Sequence, residues 1–323
     1  MEFRQLRFFV TLAEELHFGR AAAREHIVQS ALSHQIRRLE RELSVRLLNR
    51  TTHHVELTAA GTVFLVEARQ LLAQADRAVA TARRAAGCAS TLRVGIVDAS
   101  YDSMPRILRE VQERHPELEV HQVEVGVPEQ LRLLAEGQLD VGFGRAVLAP
   151  CDVASELFRL DPLGVLLPDS HRLASLASVP VAMLAGEPLL LPTEAMAPEF
   201  NQFVHELCRS VGFTPTLYPG TVGSIRAAAD LVAQGRCVPC VPASFASVLP
   251  EIVWKPVVEP AAQYPWSVLW RAGDRSEYVQ EVVSCARRLS VKLGWLDGSP
   301  AAARAGARTP RQPGRPAGNR RVS

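Results

Sequence analysis

The segment VQSALSHQIRRLEREL, residues 28–43, gathers Gln29, Ser30, Ser33 and His34 within six positions and follows them with Arg37 and Arg38. At about 100° per residue, Leu32, Ile36, Leu39 and Leu43 share one side of a helix, while Gln29, Ser30, Ser33, His34 and Arg37 share another. Amide and hydroxyl groups at the entry end of a helix can exchange hydrogen bonds with the edges of base pairs. Arg37, Arg50 and, secondarily, Arg38 can neutralise phosphates. Taken alone, RRLEREL reads as a solvated face laced by i,i+4 pairs. Its surroundings favour contact with double-stranded DNA. The Ala-rich stretch RAAAREH and the turn IVQS precede it, and the alternating TTHHVELT that follows reads as a two-stranded wing. A second helix after a tight turn, flanked by a wing, is the arrangement that enters a major groove.

Other residue types capable of chemistry do not assemble into a reaction centre. Six cysteines are scattered through the chain apart from Cys237 and Cys240 in GRCVPCVPAS. That pair lies in an apolar run expected to be a buried strand, whereas a redox pair sits at a helix start that lowers its thiol pKa. Histidines and cysteines do not fall at zinc-ligand spacings, so neither a metal nor a cofactor is expected. GFGR is too short to cradle a phosphate, and Ser244 in PASF lacks the strained turn of a hydrolase nucleophile. An enzyme is therefore not expected.

These residues must be positioned by a chain of 323 residues, longer than one ordinary core sustains. Its net charge of +2 is unevenly spread: 13 Lys and Arg against 9 Asp and Glu over residues 1–90, 17 against 25 over 91–298, and 6 against 0 over 299–323. A basic start beside an acidic middle suits a polyanion at the first and a different partner at the second. No stretch approaches the about 18 uninterrupted apolar residues of a membrane span, and the charged MEFRQLRFFVTLAEELHF does not read as a signal peptide. A cytoplasmic protein without membrane contact is the expectation.

Residues 1–57 read as three helices and a hairpin, with Phe3, Leu6, Phe9, Val10, Ala13 and Leu16 forming one buried stripe of the first helix. Thr58 is a fair cap for a proline-free helix from 58 to 86, about 43 Å long. Its seam of Phe64, Ala68, Leu71, Ala75, Ala78 and Ala82 suits pairing with a second copy. Residues 58–90 are thus expected to be a linker and dimerisation helix. From Leu92 short apolar strands alternate with helices, which predicts two α/β lobes with a ligand cleft between them. The expected regulatory part spans 91–298, with lobe I about 91–161 and 268–295, and lobe II about 162–267. Residues 299–323, rich in Ala, Gly, Pro and Arg, read as a disordered basic tail.

The run LRFFVTLAEELHFGRAAAREHIVQSALSHQIRRLERELSVRLLNRTTHHVELTAAG resembles the winged helix-turn-helix of the LysR-type transcriptional regulators, and LRVGIV, LDVGFGR, LVAQG and CVPCVPAS extend the likeness to about residue 295. The resemblance implies a type 2 periplasmic-binding-protein-like effector domain behind the DNA-binding domain, homodimers and homotetramers, an imperfect inverted-repeat operator, and contact with RNA polymerase. It places Gln29, Ser30, Ser33 and His34 on the recognition helix and His53 on the wing. Ser30 stands where proline is common and His34 where arginine is common. Among such regulators the chain looks most like those of aromatic-compound degradation.

That likeness puts Arg145 of DVGFGR where a basic residue meets the inducer, and Pro198 and Phe200 of APEF at a pocket wall. Arginine suits a carboxylate because its planar fork donates twice. The usual hydroxyls are displaced: Ala99 occupies one position, with Ser100 or Ser103 nearby, and Val127 replaces threonine. Asp98 adds a negative charge, so a carboxylate, another aromatic-pathway metabolite and a basic molecule read by Asp98 and Arg145 together all stay open. Ser224, at the start of SIRAAADLV, is a further candidate because helix N–H groups favour an anion. A small-molecule-controlled transcriptional regulator is the expected function. The alternative is a solute-binding or scaffold protein that uses its N-terminal domain only to dimerise.

The change at position 34 exchanges a permanent charge for an imidazole, whose charge depends on pH. DNA affinity should tighten as pH falls from about 8 to about 6. His34→Ala should abolish that dependence in anisotropy titrations, and equal pH profiles for both proteins would reject it.

Overall fold

A computed structural model describes residues 1–50, 55–85, 90–98, 101–220, 222, 225–245 and 251–297. Three helices open the chain, α1 (Phe3–Glu15), α2 (Phe18–Arg24) and α3 (Gln29–Leu43), followed by the antiparallel pair β1 (Leu48–Arg50) and β2 (Val55–Leu57) and by α4 (Ala59–Ala85). Leu6, Phe8, Phe9 and Leu12 of α1 close on Ala21, Leu32, Ile36 and Leu39 in one apolar core. The ends of the expected α1 stripe differ: Phe3, in the first turn, and Leu16, the left-handed residue that closes the helix, are exposed.

Polar ties fix the frame around α3. His17 Nδ1 accepts from the main-chain N–H of Gly19 at 3.1 Å and of Arg20 at 3.2 Å, satisfying donors that open α2. At the far end, Ser44 takes the left-handed conformation that closes α3. Glu40 Oε1 then accepts from the N–H of Leu47 at 2.9 Å and of Leu48 at 3.1 Å, so the helix sets where the wing begins. Thr58 Oγ1 accepts from Gly61 N–H at 2.9 Å and donates to the Arg46 carbonyl at 2.7 Å, capping α4 and tying it to the same turn. Gly61 is required there: a Cβ would fall 2.0 Å from the Leu47 carbonyl oxygen.

The α4 seam is divided differently from the expected one. Phe64 stacks 5.4 Å from Phe9 and Ala68 is fully buried, both serving the core with α1. The large apolar residues left exposed are Val63, Val66, Leu71 and Val79, with Ala78 and Ala82 of the expected seam exposed beside them. Periodicity alone cannot tell an internal neighbour from an external one, and α4 has both kinds of apolar face. On its flank Arg69 donates to Glu14 of α1 at 2.9 Å and to Glu136 at 2.6 Å, joining the first body to the second.

The second body runs β3 (Ser90–Ile96), α5 (Ser103–Arg114), β4 (Leu118–Glu124), α6 (Val127–Ala135), β5 (Val141–Gly144), β6 (Val153–Pro168), β7 (Val179–Pro180) and β8 (Pro188–Leu190). It continues with α7 (Pro198–Ser210), β9 (Thr216–Leu217), α8 (Ala229–Ala233), β10 (Val238–Pro242), β11 (Ile252–Val258), β12 (Gln263–Arg271) and α9 (Glu277–Leu293). The sheet order is β4-β3-β5-β12-β6-β10-β8-β9, with β11 beside β6 and β7. Parallel β3, β4 and β5 are joined by antiparallel β12, and α5, α6 and α9 accompany them in the first lobe. The second lobe groups β7 to β11 with α7 and α8. The return strand begins at Gln263, ahead of the lobe boundary expected near 268, with Pro265 inside it. No helix among the described residues is long and apolar enough to cross a membrane.

Strand β6 belongs to both lobes: residues 153–162 pair with β12, and residues 163–168 pair with β10 and β11. Just before the change of partner it buries a charged pair, Arg159 and Asp161, 3.1 Å apart. Arg159 also donates to Asp102 at 3.1 Å and Ser103 at 2.8 Å at the start of α5, and lies 5.2 Å from the Trp295 ring centre. Asp161 accepts from Ser244 N–H at 3.1 Å and from Trp266 Nε1 at 3.2 Å. Removing one member of such a pair strands a charge in the interior. Arg159→Leu should therefore lower unfolding stability by about 3–5 kcal/mol in urea titrations. A variant as stable as the parent would show that the pair carries no such weight.

Candidate functional site

The outer side of α3 is uncharged where it begins and basic further along. Gln29 and Ser30 are exposed in its first turn, His34 and Arg37 are exposed beyond them, and Ser33 is half-buried between. Arg37 Nη2 donates to Ser33 Oγ at 2.9 Å, holding the hydroxyl on the outer face. Arg38 departs from the secondary phosphate role: it reaches Glu42 at 2.8 Å and Glu2 at 3.2 Å, bracing α3 against the chain start. The backbone of Arg50 lies in β1, but its side chain and the whole of His53 lie outside the described residues. The face thus offers hydrogen-bonding groups first and a cation one turn later, in the order suited to a groove edge and then a phosphate.

The second candidate is a cavity between the lobes with about 710 Å³ of empty space, part of it open to solvent. The first lobe contributes Val97, Asp98, Tyr101, Tyr264 and Trp266, and the second contributes residues 190–193, Met196, Ala197, Glu199, Phe200, Val222, Ile225 and Cys240. Asp98 follows β3 and Leu190 ends β8, so the cavity lies off the carboxyl ends of parallel strands, where open α/β sheets hold ligands. Residues 264 and 266 reach it together because alternate residues of a strand share a face.

The expected effector residues separate on this map. Asp98 and Phe200 line the wall. Val127 is wholly buried behind it, with its methyl groups against Gly144 and its N–H donating to the Met196 carbonyl at 2.9 Å across the lobes. Pro198 opens α7 without joining the lining. Arg145 is also outside it: Nη1 donates to the Glu199 carbonyl at 3.2 Å, and the guanidinium sits 5.2 Å from the Phe203 ring centre. Ser100 and Ser224 lie outside the described residues. Tyr101, Glu199, Tyr264 and Trp266 were not singled out by the sequence, although APEF and YPW contain three of them.

Glu199 dominates the electrostatics of the wall. It is 1% exposed, Oε1 accepts from the Tyr264 hydroxyl at 3.3 Å, and Oε2 has no hydrogen-bond partner. Burial pushes its carboxyl from 4.5 up to about 7, opposed by its own main-chain N–H, by Tyr264 and by Arg145. Cys240 also touches the cavity, and burial raises its thiol and that of Cys237, which favours the unreactive protonated form. The C-x-x-C pair is core. Among the described residues no group of His, Cys, Asp and Glu is arranged to hold a metal.

Two family models match the chain: the bacterial regulatory helix-turn-helix protein of the lysR family over residues 3–62, and the LysR substrate binding domain over residues 85–290. The chain is 36% identical over 274 residues to the uncharacterized HTH-type transcriptional regulator YnfL of Escherichia coli (strain K12), covering 84% of this chain and 92% of that protein. It is 32% identical over 301 residues to the HTH-type transcriptional regulator BenM of Acinetobacter baylyi, covering 92% and 99%. The crystal structure of full-length CbnR complexed with its target DNA superposes with a TM-score of 0.67 at 30% identity, covering 89% of this chain and 99% of that one.

The raised carboxyl of Glu199 has a consequence for stability. The folded protein keeps a proton that the unfolded chain loses above 4.5, so stability falls as pH climbs from about 4.5 through about 7. Glu199→Gln removes this loss. Its Tm should match the parent near pH 5 and exceed it by on the order of 5 °C at pH 8. An unchanged difference across that range would refute the assignment.

Proposed function

The chain belongs to the LysR family of bacterial transcriptional regulators, and on that premise we propose that it acts as a dimer joined along α4, reading an imperfect inverted repeat through two copies of α3. It is a DNA-binding regulator with an effector-binding domain. In this reading residues 1–57 meet the duplex, 58–90 link and dimerise, and 91–298 sense a small molecule in the cytoplasm. The exposed Val63, Val66, Leu71 and Val79 support the dimer, since a partner helix would remove them from water. The observation that carries the operator reading is the outer face of α3, with Gln29 and Ser30 free at its entry and Ser33 held outward by Arg37. Two such helices related by a two-fold axis fit half-sites about 34–36 Å apart.

Control follows from the cavity. A ligand acts only through a difference in affinity between two arrangements of the protein. In the proposed cycle two dimers form a tetramer that bends the operator, and the ligand changes the lobe arrangement, the bend and the contact with RNA polymerase. Arg69 lies on the route, since it holds Glu14 of α1 and Glu136 after α6 at once. An effector from aromatic-compound metabolism is supported by the walls of Tyr101, Phe200, Tyr264 and Trp266.

Footprinting and anisotropy on the DNA upstream of the chain's own gene test this reading. Gln29→Ala should cost about 1–3 kcal/mol of specific affinity, and Arg37→Ala should lower the salt slope by about 1 on all sequences. Absence of protected bases even at low salt would sink it.

A further inference from the structure

Among the described residues the cavity wall contains no basic side chain but two acidic ones, Asp98 and Glu199. Apart from Thr193 the rest of the wall is apolar or aromatic, with Tyr101, Phe200, Tyr264 and Trp266 facing the space. In a low-dielectric space each unit charge weighs more than in water, so the sign of the lining selects the sign of the guest. Taking the chain to be an effector-controlled regulator, we infer that the molecule held here carries a positively charged amino group on an aromatic frame, and not a carboxylate.

The strongest support is the place a carboxylate would otherwise choose. The first turn of α7 opens on the cavity, and free N–H groups at such a turn attract an anion. Here Glu199, in that turn, places a buried carboxyl group of its own at the cavity wall. The anion position is already filled by the protein. Arg145, behind the wall, does not compensate a second anion, because it is turned onto the Glu199 carbonyl and the Phe203 ring. The Tyr264 hydroxyl is likewise committed, since it donates to Glu199 Oε1.

One acceptor just beneath the wall lacks a donor. Glu199 Oε2 is buried without a partner, a state costly unless something donates to it. An ammonium supplies up to three N–H donors, and its charge is attracted by aromatic faces within about 6 Å. Tyr101 and Trp266, 5.2 Å apart, and Tyr264 beside Trp266 at 5.1 Å offer such faces together with flat surface for a ring. Only about 70 Å³ of the space admits the centre of a water-sized sphere, which limits the guest to a small molecule built on one ring.

A matched set of benzylamine, benzyl alcohol and benzoate separates charge from shape. Full-length protein would be titrated with each by ligand-observed NMR and tryptophan fluorescence at about pH 8, where Glu199 is mostly ionised. Benzylamine should bind about tenfold or more tightly than either other compound. Asp98→Asn and Glu199→Gln should each erase most of that preference, with cooperative melting confirming that both variants fold. Benzylamine binding no tighter than benzoate or benzyl alcohol, or a preference untouched by both substitutions, overturns the inference. A mobility shift on the same samples keeps the two readings apart: DNA binding with no amine preference removes the ligand assignment alone. Amine preference without DNA binding upholds that assignment and removes the regulator reading.

Discussion

The contact between Arg159 and Asp161 holds together what the rest of the second body needs to be. Strand β6 pairs with one lobe along its first part and with the other along its second, and the two charges sit just ahead of the exchange. Neither charge is solvated, so each must be met by protein. Arg159 is met by the start of α5 and the Trp295 ring, Asp161 by Ser244 after β10 and by Trp266 of β12. Four separate segments are thereby tied to one strand. Buried pairs of this kind add little net stability, but an alternative packing would leave a charge unpaired. Trp266 is also a wall of the cavity, so the strand that joins the lobes also orients a surface on which a guest rests.

A chain of contacts leads from that surface towards the opposite end of the molecule. The N–H of Val127, at the head of α6, reaches across the lobes to the Met196 carbonyl, and Met196 lines the cavity. Glu136 caps the other end of α6 and receives Arg132 at 2.5 Å as well as Arg69. Arg69 in turn holds Glu14 on α1, whose core includes the inner side of α3. Each link is a short, directional contact between packed elements. A shift of α6 relative to β8 and α7 therefore has a physical path to α3, the helix proposed to face DNA.

Much of this was legible in the sequence where one period described one environment. The α3 stripe of Leu32, Ile36 and Leu39 is buried as its spacing demands, and Thr58 caps α4 as its type suggests. Reading faltered where a residue's environment contradicts its usual preference. The stretch SELFRLD did not announce a strand because it alternates charges, yet β6 runs through it and buries two of them. Lys255 and Pro256 concealed β11, and the helix expected over SIRAAADLV narrows to a short turn and α8. Glu199 was passed over because an acidic residue in the first turn of a helix is ordinarily solvated. The carboxylate preference suggested by Arg145 failed to anticipate that the guanidinium would be engaged by main chain and ring.

The bonds from Glu40 to the N–H groups of Leu47 and Leu48 bear on attempts to retarget such a protein. Glu40 shares the helix side of Gln29, Ser33 and Arg37 but spends its carboxyl on the hairpin, so a designer grafting a foreign specificity onto that side would be drawn to change it. Its replacement would unhook the hairpin from the helix and leave two donors to find new acceptors. A transplant confined to positions 29 to 37 keeps that anchor, whereas one extended through Leu43 must bring an equivalent acceptor with it.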